Sequence, residues 1–365
     1  MGRAYVTDTD GNRVRKYVYG DSWDEANEKL GKLQDQERNG VPVPSRAWTL
    51  GEWLSYWVEH IVKPEREHNT YVKYESKLRL YLLPHLAKKP LVKLTPAQLR
   101  AFMAVLKREE VGAATRFEVL RVLRNALNRA VKEEILTRNV GLLVDMPKVS
   151  KDKGTAWNAR EAITFLRSAR AHRLYAACVL VLVLGLRRGE VLGLRWQDID
   201  FEAGQFTPVK QVQRVKGVGL VLKDLKTESS QAVLPLPEFC LRALEERREL
   251  QELEKKIAGV HWKQREEQDL IFSSEHGGMI DPMGFSRTFD RLVKRARVRR
   301  ITIRLARHTC GTLLAFLKVH PKVAQAILRH SQISMTMDVY THVVGDSERE
   351  AVALLAELLE DPLIG

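Results

Sequence analysis

A mainly helical chain with small antiparallel sheets is what this sequence predicts, and three observations predict it. Apolar residues recur at helical spacing in segment after segment, as in Leu50, Trp53, Leu54, Trp57, Val58 and Ile61. Helix-opening signals, a Ser, Thr or Asn followed three residues on by Glu or Gln, stand at Ser22, Thr49, Thr95 and Asn158. Alternating apolar runs with turn residues are confined to the first twenty positions and to the segment from Phe206 to Pro235.

Composition bounds the function. The 365 residues can hold two or three domains, and a hydrophobic content of 44% is enough for each to bury a core. Against 46 acidic residues stand 60 Lys and Arg, a net charge of +14. That excess favours a polyanionic partner, although basic charge is also ordinary solvated surface. Cys178, Cys240 and Cys310 are far apart and odd in number, which reads as free thiols in a reducing compartment. The longest apolar run, Leu174 to Leu186, is too short to span a bilayer, and no secretory leader opens the chain. A cytoplasmic protein without membrane contact is expected.

In chain order, residues 1–40 read as a ββα unit. A strand up to Thr7, an Asp10-Gly11 turn and a second strand from Val14 to Tyr19 precede a helix capped at Ser22. A further strand would be needed for a three-stranded sheet. The two prolines of residues 40–45 mark a linker. Residues 47–145 then read as an all-helical domain, with helices from Thr49 to a stop at Lys63-Pro64, from Thr70 to Leu83, from Pro96 to Arg108 and from Ala114 to Leu136. On the last, Leu120, Leu123, Leu127, Ala130 and Val131 form the buried stripe, while Arg116, Arg121, Arg124 and Arg129 lie largely off it. An arginine-decorated face is as consistent with solvent as with phosphate.

A second linker, residues 146–154, carries Lys148, Lys151 and Lys153. Residues 156–365 form the last domain, opened by a cap at Asn158. Here Arg187 stands at the break between an apolar helix and an amphipathic one, Lys226 on an expected hairpin tip, and residues 241–269 in a charge-dense helix read as a solvated excursion. Asp281-Pro282 opens a helix with Phe285, Phe289, Leu292 and Val293 inward and a basic tail. That tail leads into the richest stretch, Arg304-Leu-Ala-Arg307-His308-Thr, then Leu328-Arg329-His330-Ser331, then Met335-Thr-Met-Asp-Val-Tyr340. Arginines, histidines and a tyrosine recurring at helix edges form a phosphate-handling set with a candidate nucleophile, although Tyr340 taken alone reads as a core or rim aromatic with a satisfied hydroxyl.

Those three pieces, in this order and spacing, resemble the C-terminal signature of the tyrosine recombinases, the phage-integrase family. The string Leu182-Val-Leu-Gly-Leu-Arg187-Arg-Gly-Glu190 resembles the family's first arginine box, and Lys226-Thr227 its mobile lysine hairpin. The resemblance implies an arm-DNA-binding leader, a helical core-binding domain and a catalytic domain. Its catalytic set would be Arg187, Lys226, Arg307, His330 and Tyr340, supported by Glu190, Arg304 and His308. Arg116, Arg121, Arg124 and the linker lysines would grip DNA.

Guanidinium forks suit phosphate oxygens and stay charged. A phenol of pKa roughly 10 needs neighbouring cations and a base to attack phosphorus. Lys226 would protonate the leaving 5′-oxygen, leaving a 3′-phosphotyrosyl bond whose energy is kept for resealing. No cofactor or metal is implied. The implied partners are double-stranded DNA at core and arm sites, a homotetramer, and an accessory directionality or bending protein. The family pattern has His or Lys three residues before the second arginine; Arg304 stands there instead. Two rival readings are a DNA-binding protein that lost cutting and a type IB topoisomerase-like enzyme.

Overall fold

The computed structural model describes residues 1–7, 12–38, 40, 48–149, 154–225, 231–263 and 268–340. The chain divides into two compact units, Met1–Lys151 and Asp152–Gly365.

In the first unit, β1 (Gly2–Thr7) pairs antiparallel with β2 (Arg13–Val18), Arg3 opposite Tyr17 and Tyr5 opposite Arg15. Alternation puts Ala4 and Val6 on Leu30 and Leu33 of α1 (Trp23–Arg38) and leaves Tyr5 and Tyr17 outside, under the guanidiniums of Arg13 and Arg15. Among the described residues the sheet has two strands. The α1 cap differs slightly from a reciprocal box. Ser22 accepts from the Glu25 amide at 3.1 Å, but Glu25 reaches back to the amide of Asp21.

The helical part begins with a full capping box between Thr49 and Glu52 at the start of α2 (Leu50–Tyr56). The expected stripe from Leu50 to Ile61 is buried throughout. Lys63-Pro64 does not end this helix. A π-helical turn, Trp57–Val62, leads into α3 (Lys63–Glu65), with the Lys63 amide reaching back five residues to Val58. Next comes α4 (His68–Lys77), and the device repeats in a π turn, Leu78–Leu82, ahead of Pro84 in α5 (Leu83–Leu86). Proline lacks an amide hydrogen and its ring clashes with the carbonyl four residues back; the wider turn accommodates both, so the chain passes the proline. Helices α6 (Pro96–Arg108) and α7 (Ala113–Lys132) complete the core, with the Trp53 indole donating to the Ala126 carbonyl at 3.0 Å.

The second unit is a helical core with sheets at its margin. It comprises α8 (Ala159–Ala169), α9 (Tyr175–Val183), α10 (Arg188–Leu192), α11 (Glu238–Ala258), α12 (Pro282–Ala296), α13 (Ile303–Phe316), α14 (Pro321–Leu328) and α15 (Ile333–Tyr340). Trp157, Phe165 and Phe289 stack at its centre, and Phe285, Leu292 and Val293 are buried as expected. The strand region resolves into two sheets. One has β3 (Ile199–Asp200), β4 (Gln205–Phe206) and β7 (Leu234–Pro235); the other is the hairpin of β5 (Lys210–Val215) and β6 (Gly219–Asp224). The hairpin turns at residues 216–218, and the expected tip around Lys226 lies outside the described residues.

A second expectation is overturned in this unit. Helix α11 is not a solvated excursion: it sends Cys240, Ala243, Leu244, Arg247 and Gln251 into the interior. Arg247 donates to the Ile271 carbonyl at 3.0 Å and shares Glu254 with Arg173, while Gln251 bridges the Trp196 indole and the Leu270 carbonyl. Each buried polar group thus has a partner, which makes a charge-dense helix compatible with the core. All three cysteines are buried and free. No helix among the described residues is long and apolar enough to cross a membrane.

Candidate active site

Three chain segments converge in the second unit. Gly185, at φ +59, lets the chain turn sharply after α9. Arg187 then takes the N-cap of α10 in extended conformation, which makes Glu190 the third helical residue and aims its carboxylate back at the cap. Glu190 Oε2 accepts from the Arg187 amide at 2.9 Å and Oε1 from the Arg187 guanidinium at 2.6 Å. Oε2 also accepts from Arg329 Nη2 at 2.7 Å. With 2% exposure Glu190 suffers burial that disfavours its charge, but Arg329 and Arg187 outweigh it and hold the carboxyl below its usual range.

Arg307, one turn into α13, donates to the carbonyls of Gly185 and Leu328 and so ties the second arginine segment to the first and third. Burial and the adjacent Arg187 pull its pKa down to about 9. Helix α14 ends at Arg329 in the left-handed conformation, and its carbonyl accepts from Arg187 Nη2 at 3.3 Å. His330 follows, fixed by its amide to the Gln325 carbonyl and by Nδ1 to Thr336 Oγ1 at 3.0 Å. Burial, then Arg307, Arg187, His308 and Arg329, lower its pKa to about 4, so its imidazole is neutral at neutral pH.

The Arg187 side chain keeps 41% exposure and opens into a cleft of about 900 Å³. Arg188, Arg287, Arg300, Arg304 and Arg307 line it too, with Asp290, which is bonded to Arg300, as its carboxylate. A strongly cationic concavity thus fronts the cage, as an anionic ligand requires. Arg304 is an exposed wall of that cleft, and His308 is half-buried.

Tyr340 is held otherwise. At 5% exposure it packs on Leu314, Ala315, Val319 and Ala324, and its hydroxyl donates to the Val319 carbonyl at 2.7 Å. Burial, with the Cys310 thiol nearby, raises its pKa further. As held, the phenol is a hydrogen-bonded core group and not an activated nucleophile.

The other expected residues divide. Lys226, Lys151 and Lys153 lie outside the described residues, and Lys148 is exposed. Arg121 pairs with Glu118 and stacks on Tyr74, and Arg116 is half-buried. Arg124 donates to the Gly141 carbonyl at 2.9 Å and to that of Val144, bracing the chain after α7. The reading from sequence missed Arg329, although its motif contained it; a third arginine beside the histidine was the available signal.

Residues 155–345, more than half of the chain, match the Phage integrase family, and residues 49–106 its N-terminal SAM-like domain. The chain belongs to the phage integrase family. A "Tyrosine recombinase XerC-like" protein of Caldanaerobacter subterraneus is 30% identical, over 96% of this chain and 94% of that one. Among solved structures, the Tn1549 transposon integrase with circular intermediate DNA superposes with a TM-score of 0.72 at 23% identity, covering 85% of this chain and all of that one. A lambda integrase tetramer bound to a Holliday junction gives 0.58 at 18%, covering 92% and 91%. These two likenesses bear on the fold. This phage integrase is a tyrosine-type site-specific recombinase, an enzyme of DNA breakage and rejoining. That membership favours the recombinase over the topoisomerase reading.

Proposed function

We propose that this integrase cuts and rejoins duplex DNA at the ends of a mobile element through Tyr340, with Arg187, Arg307 and His330 as its phosphate-binding cage. The observation that carries this reading is the convergence of Arg187 and Arg307, through Glu190 and the backbone of residues 185 and 328, beside His330 and behind a cleft walled by arginines.

The two guanidiniums would hold the non-bridging oxygens of the scissile phosphate and stabilise the charge added in the pentacovalent transition state. His330, neutral at neutral pH, is suited to share a hydrogen with a phosphate oxygen or with the attacking phenol. Tyr340 forms the phosphorus–oxygen bond as the 5′-oxygen leaves, its proton supplied by Lys226 in our assignment; reversal by another strand's 5′-hydroxyl reseals the DNA. Arg304 in place of His or Lys adds charge to the cleft and not a proton shuttle. Tyr340 must first leave Val319, so the described arrangement is a resting form.

Further roles follow the same reading. The outward face of β1 and β2, with Arg3, Arg15 and Tyr17, would meet arm-site DNA, and the helical part of the first unit core-site DNA. Four protomers would act together on paired sites, with an accessory bending or directionality protein.

The test is a nicked suicide duplex spanning the end of the element that encodes the chain. Wild type should accumulate a covalent adduct that is lost in Tyr340→Phe. An adduct that persists in that variant, or that never forms, rejects the assignment.

A further inference from the structure

Arg329 has no part in the chemistry above, yet its placement is costly in two ways. Its backbone is left-handed, φ 51 and ψ 50, a conformation that helix ends usually assign to glycine. Its side chain has no exposure, so a full charge is buried. A glycine, or any small residue tolerant of that turn, would end α14 more simply. What the arginine adds is the 2.7 Å bond to Glu190 Oε2, the oxygen that also accepts the Arg187 amide.

The surrounding backbone shows what this bond organises. The carbonyl of residue 328 accepts from Arg307, that of residue 329 from Arg187, and residue 330 is the histidine of the cage. Pinning the side chain of residue 329 therefore pins three consecutive residues that each serve the site. It does so from α10, an element separate from α14 and from α15, on which Tyr340 rides.

We infer that Arg329 is a positioning residue of the recombination site: through Glu190 it locks Arg187, Arg307 and His330 into one rigid body that stays assembled while Tyr340 moves. The inference rests on the active-site reading above. Glu190 is faced by Arg187 from α10, Arg329 from the end of α14 and Arg307 from α13. His330 is faced by Arg307, Arg187, His308 and Arg329. Removing Arg329 takes one of the two bonded cations from Glu190. Its carboxyl then protonates at higher pH, and the Arg187 fork loses its fixed anchor as it does.

The experiment uses the full chain and the nicked duplex under single-turnover conditions, with Arg329→Gly, Arg329→Met, Glu190→Gln and the double variant Glu190→Gln/Arg329→Met. At saturating DNA the Arg329 variants should form adduct on the order of 10- to 100-fold more slowly, as expected for misplacement of a reacting group. Their acid limb should move to higher pH. In the Glu190→Gln background, Arg329→Met should change the rate by less than about 3-fold, because both changes break the same link. Effects that multiply in the double variant, or an unmoved acid limb, would overturn the inference. Arg329→Gly relieves the backbone and carries the test if Arg329→Met does not fold. If wild type itself forms no adduct, the active-site reading fails, and that outcome is distinct from an additive cycle in an active enzyme.

Discussion

His330 illustrates how much of a residue's chemistry is set by its neighbours. An imidazole that would ordinarily titrate near 6.5 is lowered to about 4 by burial among Arg307, Arg187, His308 and Arg329. The unfolded chain therefore gains a proton as pH falls through about 6.5, while the folded one stays neutral until about 4. Wild type should lose stability across that window, and His330→Gln should flatten this part of the profile, as denaturant unfolding at stepped pH would show. Glu190 works in the opposite sense: its depressed carboxyl contributes stability above its unfolded pKa and loses it as pH drops through the folded value. Glu190→Gln leaves two guanidiniums without their carboxylate and should cost about 3–5 kcal/mol near neutrality, shrinking in acid.

Among the elements, α10 is short and depends on what it touches. A Cβ at Gly193 would lie 2.6 Å from the Cα of Gln211, so α10 and β5 meet backbone to backbone. Gly193→Ala should push the hairpin away at a cost of about 1–3 kcal/mol, and should slow cleavage because α10 carries Glu190 and is capped by Arg187. Thermal melting and adduct rate together check this. In the first unit, Arg124→Ala should act on stability instead of DNA affinity. Losing its bonds to the Gly141 and Val144 carbonyls should cost about 2 kcal/mol, while the salt dependence of DNA binding keeps its slope. The two π turns also belong to this scale, since each lets a helix continue past a proline that local rules read as a stop.

For the whole molecule, the net charge of +14 implies DNA binding dominated by phosphate contacts. The logarithm of affinity should fall with that of salt by about 0.9 for each phosphate neutralised. If roughly 6–10 are engaged, affinity should drop ~10³–10⁵-fold between ~50 and ~200 mM salt. Fluorescence anisotropy on labelled duplex measures it; a slope near zero would mean that the surplus charge is ordinary surface.

Much of this was legible along the chain because it is local. Helical stripes, capping boxes at Thr49, Thr95 and Asn158, and the segments holding Arg187, Arg307, His330 and Tyr340 are patterns within a few residues of one another, governed by backbone geometry and side-chain spacing. What depends on contacts distant in sequence was not. That Arg124 braces a loop, that α11 is half-interior, that Arg329 shares Glu190 with Arg187 across 139 positions, and that Tyr340 rests on the Val319 carbonyl all follow from which surfaces meet. An arginine's sequence neighbours do not say whether its partner will be solvent, a carbonyl, a carboxylate or a phosphate; burial of the charge makes that choice, and burial is decided by the tertiary fold.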